Sequence, residues 1–324
     1  MAETFYTQIA ANRRNSVLLA LVVTVLFGLL GFSIGYAVSG TPSGALAVMA
    51  FAVVIGGVLS AGSYYGGDSL LLSASQAREI DAQAAPQLFN VVQELTVAAG
   101  LPMPRVYVID DTAPNAFATG RDPQHASVAI TSGLLEKLDR EELQGVMGHE
   151  LSHVRNYDTR FALLVAVLVG SIALMSDFFL RFSFWGGGMR RSRRDDNGGG
   201  LQAVMYIVAT ALSVLAPIAS RLVQLAINRQ REYLADASSV SLTRNPYGIE
   251  RALAKISSDQ EVLEAANRAT QHMYFTNPIK HFEERASGLF STHPATLDRI
   301  NRLRELTGDA PLEGAEAGQL SGLD

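Results

Sequence analysis

The 324-residue sequence predicts a mainly α-helical integral membrane protein with an α+β domain that contains a small β-sheet. Mean hydropathy is positive and only 18% of the residues are charged, a balance that points to membrane segments. Four hydrophobic helical segments, at 17–38, 45–65, 161–185 and 201–220, are each long enough to approach the thickness of a bilayer. Polar stretches with helix or strand periodicity lie between and after these segments.

Residues 1–66 are predicted to form an N-terminal transmembrane hairpin. Its two apolar runs are separated by the turn sequence S-G-T-P-S-G at 39–44. Arg13-Arg14 before the first run would also suit a cleaved signal peptide, but the run is too long and a second follows at once. Gly31 and Gly35 form a G-x-x-x-G spacing, which lets two helices pack closely.

The α+β domain is expected to comprise residues 67–160 and 221–306, followed by a disordered Gly-, Ala- and Glu-rich tail at 307–324. Strand patterns occur at 105–110 and 127–131. Helices are predicted at 86–99, 133–138 and 140–158. Asp139 suits the N-cap of the last helix, and Glu142 suits the third position of a capping box.

Residues 161–220 read as a hydrophobic hairpin inserted into this domain, with a flexible Gly- and Arg-rich loop at 186–200. Asp177 and Arg181 are the charged residues of its first run, and their i,i+4 spacing lets them pair on one helix face. The helix of the second run is predicted to continue through 229–236, beyond the apolar segment.

The sequence H-E-L-S-H at 149–153 predicts a metal site. Residues four apart on a helix lie on the same face, so His149 and His153 can converge on one ion. Glu150 would lie beside that ion and take a proton from water, as in zinc hydrolases. The alternative is a pair of unrelated surface histidines. The chain has no cysteine, which excludes disulfides and thiolate ligands.

A catalytic zinc ion usually has three protein ligands and an open position for water. The third ligand must be a downstream histidine or carboxylate. Glu232 is the strongest candidate because Asp236 follows it on the same helix face and can hold a ligand imidazole by a hydrogen bond. The alternative for both acidic residues is an ordinary solvated helix face.

The order N-A-F-A-T-G (115–120), H-E-L-S-H (149–153), R-E-Y-L-A-D (231–236) and S-T-H-P (291–294) resembles the HtpX family. These are membrane-bound zinc metalloproteases related to the CAAX prenyl proteases, and the resemblance extends from the first apolar run to about residue 306. It implies a gluzincin-like catalytic domain with one Zn²⁺ per chain. The implied roles are zinc ligands for His149, His153 and Glu232, general base for Glu150, and support of a ligand for Asp236.

The same resemblance implies that the stretch beginning at Asn115 forms an edge strand that binds the substrate backbone by strand addition. Its substrate-binding residues would be Asn115, Ala116, Phe117 and Ala118. His293 and Arg299 match a family element near the active site, where they would stabilise the transition state. From the residues alone, His293 could equally be a loop histidine before proline. His125, His272 and His281 match no motif and are expected at the surface.

The implied partners are polypeptide substrates, namely membrane or misfolded proteins, and the lipid bilayer. Protein quality control under stress follows from the resemblance. Nucleic acid is excluded as a partner by the net charge of −5. Arg13-Arg14 favour a cytoplasmic N-terminus, which gives a multi-pass protein of the inner or plasma membrane with its catalytic domain in the cytoplasm. The four arginines within 190–194 oppose this orientation if the second hairpin crosses fully.

Two other function classes compete with an enzyme. A four-span transporter or channel is disfavoured because the first two apolar runs hold no ionisable residue. A zinc-stabilised scaffold without activity is disfavoured by Glu150, since a purely structural metal site needs no base. The sequence therefore favours a membrane zinc endopeptidase.

Overall fold

The computed structural model describes residues 5–185, 199–258 and 295–312. The chain divides into two compact units. The first, here the helical unit, contains Met1–Tyr64 and Leu163–Gln224. The second, here the mixed unit, contains Tyr65–Ala162 and Leu225–Asp324. The assignment of a transmembrane role to one unit and catalysis to the other remains a prediction.

Long helices supply most of the helical unit. They are α1 (Phe5–Ser39), α2 (Pro42–Ala74), α6 (Asp158–Trp185) and α7 (Gly199–Thr243). Among the described residues, two stretches are long and apolar enough to cross a membrane, Pro42–Leu59 and Gly200–Ala219. A shorter apolar stretch covers Thr24–Ser39. Two of the four expected spanning segments therefore meet these criteria in the part of the chain that the structure describes.

The glycines of the G-x-x-x-G spacing lie where α1 and α2 touch. A Cβ atom on Gly35 would lie 2.8 Å from Cβ of Val48 and 2.9 Å from Cα of Ala45. A Cβ atom on Gly31 would lie 3.2 Å from Cβ of Ala52. Only glycine permits so close an approach, so the predicted role of this spacing in packing the hairpin is confirmed.

The mixed unit contains a four-stranded sheet in the order β1-β2-β4-β3. Its strands are β1 (Arg78–Glu79), β2 (Arg105–Ile109), β3 (Ala116–Gly120) and β4 (Ala126–Thr131). β2 and β4 are parallel, whereas the other two pairs are antiparallel. β3 therefore lies at an edge, as expected of the strand after Asn115.

The structure describes five further α-helices in the mixed unit: α3 (Pro86–Ala99), α4 (Ser132–Lys137), α5 (Arg140–Arg155), α8 (Pro246–Ser258) and α9 (Thr296–Thr307). The predicted capping box starts α5. The Asp139 side chain accepts from the Glu142 amide at 2.9 Å, and the Glu142 carboxylate accepts from the Asp139 amide at 2.9 Å. Helix α5 ends at Arg155, three residues earlier than predicted, because Tyr157 adopts a positive φ of 62°.

Helix α5 is the central element of this unit because it packs against α3, α8 and β3. Its apolar face is fully buried and comprises Leu143, Val146, Met147 and Leu151. Gly145 allows the backbone of α8 to approach, since a Cβ atom there would lie 2.5 Å from the amide nitrogen of Ile249. The helix that carries H-E-L-S-H is therefore fixed on several sides by the core.

Candidate metal centre

The two histidines of the motif meet on one face of α5. The Nε2 atoms of His149 and His153 lie 3.1 Å apart, and the rings are nearly perpendicular at 86°. His149 is fully buried, and the His153 side chain is 15% exposed. Two imidazole acceptors this close repel each other unless a proton or a metal cation lies between them. The i,i+4 spacing therefore has the consequence expected from the sequence.

Glu232 comes from α7 and completes the group. Its Oε2 atom lies 3.5 Å from Nε2 of His149, and its Oε1 atom lies 3.5 Å from Nε2 of His153. One ligand atom from each of the three residues falls within 4.8 Å of the others. Among the described residues, this is the one group with this arrangement. The structure thus brings Glu232 to the motif despite the long apolar insertion between them.

The separations of these atoms suit a tetrahedral metal ion. Zinc binds imidazole nitrogen and carboxylate oxygen at about 2.0–2.1 Å, so neighbouring ligand atoms in a tetrahedron lie roughly 3.3 Å apart. The observed separations are 3.1 Å between the two nitrogens and 3.5 Å from each nitrogen to the carboxylate. Two neutral nitrogens and one carboxylate oxygen form a donor set that zinc favours, and other divalent metals also accept it. The residues present therefore fit the expected ion.

A carboxylate holds the outer nitrogen of each imidazole. Nδ1 of His149 lies 2.8 Å from Oδ1 of Asp236, and Nδ1 of His153 lies 3.1 Å from Oδ2 of Asp158. In each pair Nδ1 donates to the carboxylate, so Nε2 faces the centre of the site. The sequence identified Asp236 and missed Asp158. The position of Asp158 just beyond the end of the motif helix could have indicated this role.

The charges around His153 are unusually concentrated. Burial lowers the pKa of His153, but the Asp158 and Glu232 carboxylates outweigh burial and raise it to about 10. The same carboxylates attract a metal cation, which replaces the proton on Nε2 when it binds.

Arg299 lies beneath the ligands and is only 2% exposed. Its Nε and Nη2 atoms donate to the two oxygens of Asp236 at 2.9 and 2.7 Å, and Nη1 lies 3.6 Å from Oε2 of Glu232. Burial acts to raise the pKa of Asp236, but Arg299 and His149 outweigh burial and lower it. The guanidinium group of Arg299 therefore contacts the carboxylates of Asp236 and Glu232. The sequence expectation gave it a role in transition-state stabilisation.

Glu150 lies beside the group and is 2% exposed. Burial raises the pKa of its carboxyl group, while the two histidines and a hydrogen bond from the backbone amide of Ala118 act in the opposite direction. Ala118 belongs to β3, so the edge strand and the expected base are in direct contact. A buried carboxyl group with a raised pKa beside a metal site suits proton transfer.

The predicted substrate-binding residues are Asn115, which directly precedes β3, and the first three residues of that strand, and all are buried. Asn115, Ala116, Phe117 and Ala118 are each at most 5% exposed. The Asn115 side chain accepts from the Ala116 amide at 3.0 Å, and the Asn115 amide donates to Thr131 Oγ1 at 2.9 Å. The structure thus brings this strand to Glu150.

The other histidines are not brought to this group in the part of the chain that the structure describes. His293, His272 and His281 lie outside the described residues. His125 is exposed, as expected, and its Nδ1 atom lies 2.7 Å from the Asp122 carboxylate.

Comparison with known proteins gives a consistent assignment. The profile described as peptidase family M48 matches residues 82–307. The chain is 42% identical over 301 residues to a "Protease HtpX homolog" of Ligilactobacillus salivarius, covering 93% of this chain and 99% of the relative. It is 44% identical over 303 residues to a protein of the same name from Streptococcus equi subsp. equi, with the same two coverages.

A solved structure, that of S. mikatae Ste24p, matches with a TM-score of 0.46 and 16% identity, covering 91% of this chain and 66% of that one. The family is zinc-dependent, and the group of His149, His153 and Glu232 could hold a metal. The named relatives and the two apolar helices together indicate that this chain is a membrane-associated metalloprotease. The chain therefore belongs to peptidase family M48 and is a metalloprotease of the HtpX type.

Proposed function

We propose that this protein is an integral-membrane, zinc-dependent endopeptidase that hydrolyses peptide bonds of membrane or misfolded proteins in quality control. The observation that carries the proposal is the convergence of His149, His153 and Glu232 with buried Glu150 beside them. Three ligands leave a coordination position for water, and a structural site would not need the neighbouring base.

The residues of the chain have separate roles in this mechanism. Zinc, when bound to His149, His153 and Glu232, would polarise the scissile carbonyl and lower the pKa of water. Glu150 accepts the proton of the attacking water and then delivers it to the nitrogen of the leaving amine. The burial that raises its pKa makes it a better base once it is ionised. The Ala118 amide orients the carboxylate by donating to it.

We propose that β3 binds the backbone of the substrate. As an edge strand it can accept a further strand, which would run past Glu150 because Ala118 contacts that carboxylate. The strand is buried in this structure, so the residues that cover it must move aside before a substrate can pair with it. Strand addition reads the backbone and not particular side chains, and this suits misfolded substrates of varied sequence.

Cleavage of casein by the full-length protein in detergent tests the enzymatic proposal. We expect cleavage that a chelator removes and added Zn²⁺ restores. Glu150→Gln is nearly isosteric but cannot accept the proton, so it should bind one zinc per chain and lose at least about 10²-fold in rate. The exposed carboxylate Glu94, changed to glutamine, is the matched control and should leave the rate unchanged. Full proteolysis by Glu150→Gln would reject the assigned base.

We also propose that the mixed unit faces the cytoplasm. The chain has no cysteine, so one introduced thiol reports its side of the membrane without background. Val97 in α3 is 79% exposed and suits replacement by cysteine. In intact cells, an impermeant maleimide should label Val97→Cys only after the membrane is broken. Labelling of intact cells would place the mixed unit outside.

A further inference from the structure

Each ligand histidine donates to a buried aspartate, and each aspartate forms an ion pair with a buried arginine. His149 donates to Asp236, which is bound by Arg299. His153 donates to Asp158, and Oδ1 of Asp158 lies 3.2 Å from Nε of Arg231. The Asp158 and Arg231 side chains are each 5% exposed, so the second pair is as buried as the first.

The position of Asp158 depends on the end of α5. Had the helix continued, a residue five positions beyond His153 would lie about 140° around the axis from it, out of reach of its ring. Instead Tyr157 adopts a φ of 62°, in the left-handed region, and Asp158 begins α6. This break turns the chain back so that Asp158 reaches Nδ1 of His153. Bulky residues rarely adopt such a φ, and strained backbone of this kind concentrates at functional sites.

Arg231 holds the other side of Asp158. It directly precedes Glu232 on α7, so one of two consecutive residues is a proposed metal ligand and the other forms the ion pair with Asp158. The guanidinium lies on Oδ1 of Asp158 while the His153 ring lies on Oδ2, so one carboxylate joins the two groups. Burying a carboxylate to this extent is costly unless it is paired.

We infer that Asp158 and Arg231 are positioning residues for His153, fixing its tautomer and the direction of Nε2 towards the metal. This inference rests on the proposed function, since it assumes that His153 is a ligand. Asp158 is the first residue of α6 and Arg231 lies within α7, so the pair comes from the two helices that contain the apolar insertion. Loss of such outer partners typically costs 10–100-fold in metal affinity, which sets the expected size of the effect.

The test is the zinc dissociation constant of the full-length protein, measured by competition with a chelator. Asp158→Ala should raise the zinc dissociation constant by about 10–100-fold. Asp158→Asn keeps an oxygen that accepts from Nδ1, so its affinity should lie closer to wild type. The matched control is Glu250→Gln, which removes a buried carboxylate paired with Arg304 at 2.7 Å in the same unit. It should lower thermal stability and leave zinc affinity unchanged.

Two further measurements separate positioning from a general loss of structure. The visible spectrum of the cobalt-substituted protein should change for Asp158→Asn and stay as in wild type for Glu250→Gln. Arg231→Met should weaken zinc binding, and Asp158→Ala with Arg231→Met should bind zinc no more weakly than Asp158→Ala alone, because Arg231 acts on His153 only through Asp158. If Asp158→Ala does not fold, Asp158→Asn and Arg231→Met provide the same comparison.

The outcomes distinguish the inference from the proposed function. Wild-type affinity and an unchanged cobalt spectrum in both Asp158→Asn and Arg231→Met would overturn the positioning role while zinc binding stands. Retention of stoichiometric zinc by His153→Ala, or none in the wild type, would instead overturn the proposed ligand set, and the inference with it.

Discussion

The Oδ1 atom of Asp236 lies 2.8 Å from Nδ1 of His149, and both side chains are buried. This contact leaves Nε2 of the histidine directed at Glu232 and His153. We expect Asp236→Ala to weaken zinc binding by about 10–100-fold, because the imidazole loses the partner that fixes its tautomer. Chelator competition measures the change. An unchanged affinity would show that packing alone orients His149.

Arg299 has a structural effect that can be separated from the metal. Arg299→Met would leave the Asp236 carboxylate buried without its bidentate partner, a change that costs about 3–5 kcal/mol for buried ion pairs. We expect a lower midpoint of thermal unfolding even with the site saturated by zinc. Arg299→Lys keeps the charge but not the fork geometry and should lose less. Equal stability of both variants and the wild type would contradict the assigned contacts.

Glu232 provides the sharpest test of the ligand set. Glu232→Ala should lose stoichiometric zinc together with activity, since two imidazoles alone bind the ion much more weakly. Metal content after dialysis against buffer of low zinc content gives the answer. Glu250→Gln is again the control, because it also removes a buried carboxylate of the mixed unit. One zinc per chain in Glu232→Ala would remove Glu232 from the site.

Local signals in the sequence predicted much of the fold. Helix 86–99 and its glycine stop are found at the same residues, with Gly100 in the left-handed conformation. The capping box of Asp139 and Glu142 appears as expected, and His149, His153 and Glu232 lie close together as the predicted ligand set requires. Each of these features depends on spacing along one helix or, for Glu232, on the motif R-E-Y-L-A-D at 231–236. They could therefore be predicted without the tertiary structure.

The missed features depend on the meeting of distant segments. Asp158 reaches His153 only because Tyr157 turns the chain, and no periodicity signals a left-handed tyrosine. The bond from the Ala118 amide to Glu150 joins a strand to a helix. The hydrogen bond from Arg299 to Asp236 joins α9 to α7. Such contacts follow from the packed core, which single-sequence patterns do not specify.

The capping box predicts a stability effect without a metal effect. Asp139→Ala removes the acceptor of the Glu142 amide at the start of α5, which should cost about 0.5–2 kcal/mol. The metal residues lie two turns or more further along the helix, so zinc affinity should stay as in wild type. Thermal unfolding and chelator competition on the same sample separate the two quantities. A zinc affinity that fell with stability would mean that fraying reaches His149.

The positive φ at Tyr157 gives a prediction about the turn itself. Tyr157→Gly should keep zinc affinity near that of the wild type, because glycine adopts this conformation without strain. Tyr157→Val should weaken zinc, because a β-branched residue resists φ > 0 and the turn would move Asp158 away from His153. Chelator competition on the two variants forms a matched pair at one position. Equal weakening in both would mean that the tyrosine ring, and not the backbone conformation, holds Asp158 in place.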